Sequence, residues 1–150
     1  MIARLETVTK SLAEELRSAS KERLQSANLA ICKMALESSA VLDPEVLSAL
    51  AQLQKDGYVV QDSLGELKRL QDRYDEMYFD SQDEAADDRD SQVAGMSYFY
   101  KARAISALIF AGQGADLTSS MESIYEASMA VEDAAQVYEC VRRHLKIDLH

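Results

Sequence analysis

The residues of this 150-residue chain whose types could do chemistry are few, and spacing limits what each group can do. Cys140 and His144 stand four apart and share one face of a helix, as metal ligands and thiol–imidazole pairs do. A tetrahedral site needs two further ligands, and a nucleophilic pair needs a group to orient its base. The only other cysteine is Cys32 and the only other histidine is His150. Cys140 therefore reads as a core residue, and the sequence implies no metal, no cofactor and no catalytic residue. Gly112-Gln-Gly114 lacks the third glycine, the lysine and the strand-to-helix setting of a phosphate cradle, and reads as a turn. Lys101 and Arg103 are the only charges between Val93 and Ala111. Two positions on a helix are about 200° apart, so the pair cannot leave on one side. Either their aliphatic stems carry the heads to water, or one closes onto an anion, such as the acidic stretch just upstream.

That stretch concentrates the charge. Of a formal net charge of −10, the segment from Asp72 to Asp90 holds −7: nine carboxylates against Arg73 and Arg89. Asp80, Asp83, Glu84 and Asp87 are spaced three and four apart, and on a helix would gather where a divalent cation could sit. Glu84-Ala-Ala-Asp87 resembles one half of the paired motifs through which all-helical nucleotide pyrophosphohydrolases bind magnesium; the Glu-x-x-Glu half has no counterpart on a well-patterned helix. Counted as a calcium loop from Asp80, the segment has Ala85 where glycine is needed and Ser91 where a bidentate glutamate is needed. The segment from Asp80 to Ser91 has no apolar periodicity and reads as a solvated loop or frayed helix end. Tyr74, Tyr78 and Phe79 are interleaved with its carboxylates, and aromatics are favoured anchors at interfaces.

The elements that must position these groups are helical. Glycine occurs five times, proline once, and strong helix formers dominate. Ile2, Leu5, Val8, Leu12 and Leu16 repeat at helical spacing, and Leu24, Ala27, Ile31 and Ala35 resume out of phase, so a break is placed at Ser18–Ser20 with a serine capping the second helix. Asp43-Pro44-Glu45 opens a third helix that Gly57 ends. Ser63-Leu-Gly-Glu66 has the form of a capping box for a fourth helix carrying Leu64, Leu67, Leu70 and Tyr74. Val93–Ala111 is apolar or small almost all round, which marks a helix covered by protein on most sides. Ser119-Ser-Met-Glu122 reads as a second capping box, opening one last helix that runs to about Lys146. The segment YFYKARAISALIFAGQGADLTSSMESIYEASMAVED resembles a single tetratricopeptide unit, with small residues in its first helix and a Tyr-x-x-Ala pattern in its second. That resemblance implies a helical hairpin; no second copy follows at the family's repeat length. The expectation is one all-α domain over 1–150, an antiparallel multi-helix bundle or helical-hairpin stack of about six helices.

This balance of charge disfavours nucleic acid and anionic membranes as partners. No run is apolar enough to span a bilayer, and the first ten residues carry charges where a secretion signal needs an apolar core, so a soluble cytoplasmic protein with reduced cysteines is expected. The function expected is a non-catalytic interaction domain presenting an acidic-aromatic surface to a basic protein partner, similar in composition to acidic immunity proteins and secretion chaperones. The surface is assigned to Tyr74, Asp75, Tyr78, Phe79, Asp80, Asp83, Glu84, Asp87, Asp88 and Asp90. Two alternatives stand beside it: a small metal-dependent hydrolase of the all-α type, and a structural bundle that forms a homodimer or larger homo-oligomer through its amphipathic first helix.

Overall fold

The computed structural model describes residues 4–5, 9–84 and 89–146, without side-chain placements for 84, 90–92 and 94. Its helices are α1 (Lys10–Arg17), α2 (Lys21–Ser38), α3 (Pro44–Asp56), α4 (Gln61–Glu84), α5 (Arg89–Gly112), α6 (Leu117–Met129) and α7 (Ala134–Leu145). Among the described residues there is no strand. The all-helical expectation holds, with seven helices there instead of about six.

Local chemistry accounts for several boundaries. The Ser20 hydroxyl accepts from Arg23 N–H at 3.3 Å and caps α2. Pro44 occupies the first turn of α3, and Gly57 ends that helix in the left-handed region at φ 79°. Other boundaries depend on distant partners. The expected capping box at Ser63 is replaced: α4 begins at Gln61, and Gln52 of α3 receives Val60 N–H at 3.0 Å while donating to the Ser63 hydroxyl at 2.9 Å. Likewise Asp116, not Ser119, caps α6 by accepting from Ser119 N–H at 2.9 Å. The expected single last helix breaks after Met129. Asp133 starts α7 by capping Ala135 N–H, and the freed Ala130 carbonyl accepts from the Ser39 hydroxyl at 3.2 Å.

α5 is the central helix. Ala102, Ala104, Ile105, Ala107, Leu108, Ile109 and Ala111 are buried, and the helix packs against α2, α3, α4 and α6. Its neighbours approach through small polar side chains. Ser123 donates to the Ala107 carbonyl at 2.7 Å, and Asn28 donates to the Ser120 hydroxyl at 3.1 Å. Contacts of Asn28 with Ser120, Cys32 with Ser123 and Ser39 with Ala130 keep sequence separations of 92, 91 and 91, so α2 and α6 run in the same direction. α4 and α5 run in opposite directions, with Leu64 beside Gly112, Tyr78 beside Phe99 and Ser81 beside Gly95.

Within Lys10–Arg17 the apolar side of α1 faces inward. Leu12, Ala13 and Leu16 are buried, so these apolar positions of α1 face the core; Ile2 and Val8, also apolar positions of the expected first helix, lie outside the described residues.

Candidate functional site

Buried core residues of α4 end at Leu70, with the half-buried Tyr74 packed against the core, and those of α5 begin at Ala102. Beyond these points the two helices pack on each other as an arm. Its inner seam is aromatic: Tyr74 stacks on Tyr98 at 6.3 Å between ring centroids, and Tyr78 meets Phe99 at 5.4 Å. Close to the tip, a Cβ built on Gly95 would stand 2.1 Å from the Ser81 Oγ, so glycine is what lets the two backbones approach this closely.

The base of the arm is tied down by a charged hub. Glu126 of α6 is only 3% exposed. Its carboxylate accepts from Arg4 at 2.9 Å and from Arg103 of α5 at 3.2 Å, and Arg103 also donates to both oxygens of Asp75 on α4 at 3.2 Å. Arg4 reaches Glu122 as well and lies over the Tyr125 ring at 4.4 Å. Arg103 therefore closes onto the acidic stretch, one of the two options its position in an apolar helix left open. Its companion Lys101 sits over the Tyr74 ring at 5.6 Å. No spacing rule pairs residues 75, 103 and 126, so the hub has no signature in the sequence.

The expected surface residues separate by helical face. Taking Asp72 as 0° and about 100° per residue, Asp72, Glu76, Phe79, Asp80 and Asp83 fall within an arc of about 100°. All five are exposed, Phe79 at 62%. Tyr74 and Tyr78 lie on the other side of α4, Asp75 flanks the exposed arc next to Phe79, and all three are engaged within the protein. Tyr74 donates to Asp43 at 3.0 Å, and burial together with that carboxylate pushes its phenol up to about 12. Asp75 belongs to the hub, and Tyr78 to the aromatic seam. Helix continues through Asp80 and Asp83 to Glu84 and resumes at Arg89. The side chains of Glu84 and Asp90, and Asp87 and Asp88 altogether, lie outside the described residues. Asp72 and Glu76, absent from the expected set, could have been added from their spacing to Phe79 and Asp83 had the stretch been read as helix throughout.

Elsewhere, the Cys140 thiol is pushed up by burial, and Cys32, wholly enclosed, is pushed up to about 12. Both are free thiols. His144 Nδ1 lies 2.8 Å from the Ser26 hydroxyl, and its pKa is lowered by burial and by Arg143. Among the described residues no three His, Cys, Asp or Glu side chains converge as metal ligands, and no helix is long and apolar enough to cross a membrane. The chain matches no family model, no curated protein and no solved structure.

Proposed function

We propose that the α4–α5 arm is the contact surface of a non-catalytic interaction domain whose partner is a basic protein. The observation that carries this reading is the outer stripe of α4, where Phe79 stands in water among Asp72, Glu76, Asp80 and Asp83. Large aromatics are usually withdrawn from water, and an exposed ring at the edge of an acidic stripe, backed by the Tyr78 ring at 5.5 Å between centroids, suits an interface with an aromatic anchor and a charged rim. The hub and the aromatic seam support the stripe from behind, which lowers the ordering cost of binding. A stripe of this sign repels phosphate, which argues against nucleic acid and anionic lipid. The two free buried thiols are consistent with residence in a reducing cytoplasm.

The test is a partner captured on the immobilised chain, followed by binding kinetics. Exposed charges act mainly on encounter and the anchor on persistence. Asp80→Asn with Asp83→Asn should slow association several-fold and flatten its salt dependence, whereas Phe79→Ala should speed dissociation by at least about tenfold, the cost of roughly 1.4 kcal/mol at an anchor. Kinetics identical to the parent for both variants would remove the arm as the contact surface.

A further inference from the structure

The C-terminal half of α2 and the start of α3 enclose an apolar cleft of about 440 Å³ lined by Leu36, Val41, Leu42, Leu47 and Leu50. Leu42 is 75% exposed and Leu47 50% exposed. The turn that presents them runs through Ala40, which stands at φ 54°, the only non-glycine residue with positive φ among those described. Glycine is the usual occupant of such a helix end, and an L-residue held there is strained. Strain kept beneath two leucines that face water points to a surface in use.

The charges around the cleft specify what covers it. Its only charged lining residues are Lys33 and Glu37, one turn apart on α2, which separates them by about 6 Å along the helix axis. A two-fold axis normal to α2 and midway between them sets Lys33 of one molecule opposite Glu37 of the other, and Glu37 opposite Lys33. A surface with one cation and one anion so placed is its own complement. We propose that this cleft is a self-association surface, and that its occupant is a second copy of the chain with the two α2 helices antiparallel across the two-fold axis. A molecule of net charge −10 repels its copies, and a cleft whose lining is neutral is where they approach at least electrostatic cost. The eight residues that line the cleft are few beside the roughly 20–30 residues a side of a standard interface, so the dimer is weak and concentration-dependent. This surface is independent of the arm and of the partner assigned to it.

Sedimentation equilibrium of the full chain from about 10 µM to roughly 1 mM tests the assignment. The parent should pass reversibly from monomer to dimer. Lys33→Glu alone and Glu37→Lys alone each replace two attractive pairs by two repulsive ones and should weaken the dimer by about tenfold or more. An equimolar mixture of these two variants restores both pairs between unlike molecules and should recover parental association as a heterodimer. Leu47→Asp, or Leu42→Asp if the first fails a circular-dichroism check of folding, should leave only monomer. A parent that stays monomeric throughout, a mixture that does not recover, or a dimer that survives the leucine substitution would each overturn the proposal.

Discussion

Glu126→Gln tests whether the base of the arm is held by a buried charge. The substitution preserves shape and leaves one oxygen to accept, but removes the counter-charge shared by Arg4 and Arg103 and turns an amide N–H toward guanidinium donors. Removing one member of a buried ion pair costs about 3–5 kcal/mol, and a charged hydrogen bond contributes about 1.5–3 kcal/mol. Two features move the value below the first of these ranges and into the second. Arg4 is 47% exposed in its side chain and keeps Glu122, while Arg103 keeps Asp75. The expected loss is therefore about 2–3 kcal/mol, a large share of a typical domain's stability. It should appear as a lower urea midpoint at unchanged slope, and as a melting temperature lowered by roughly 5–10 °C. Glu122→Gln, whose arginine is half in water, should cost no more than about 1 kcal/mol. The difference between the two variants should persist in high salt, because screening acts on exposed pairs more than buried ones. A loss under about 0.5 kcal/mol for Glu126→Gln, or equal losses for the two variants, would show that burial of the carboxylate adds nothing to its role.

Two further outcomes follow from the geometry. Because burial and Arg143 lower the pKa of His144 in the folded state, the unfolded chain binds its proton more readily. The associated stability is complete above the ordinary histidine value of about 6.5 and is lost as pH falls below it through the folded value; His144→Asn should flatten that part of a melting-temperature profile, and an unchanged slope would contradict the assignment. Gly95→Val should separate the tip of the arm, since even a single added carbon meets Ser81; amide exchange should rise in 75–84 and 93–98 while the core around Leu108 keeps its protection, and unaltered exchange in the arm would refute the close approach.

Much of the fold is legible residue by residue because its signals are local. A serine hydroxyl that reaches the third amide beyond it, a proline where no N–H is needed, a left-handed glycine and an apolar period of three or four act within a turn or two of themselves. They locate the starts of α2 and α3, the end of α3 and the buried α5 from the chain alone. The acidic, aromatic character of residues 72–83 is legible for the same reason. Only the three-dimensional packing decides which of those side chains meet water: Asp75 is drawn in by Arg103, which Glu126 also holds, and Tyr74 by Asp43 and Tyr98, while Phe79, within five positions of both, is left outside. Packing likewise ends the helix after Met129, where a hydroxyl 91 residues away accepts the task of bonding the Ala130 carbonyl. A hydrogen bond or ion pair between residues distant in sequence depends on the distance between helices, and that distance is set by the whole core together.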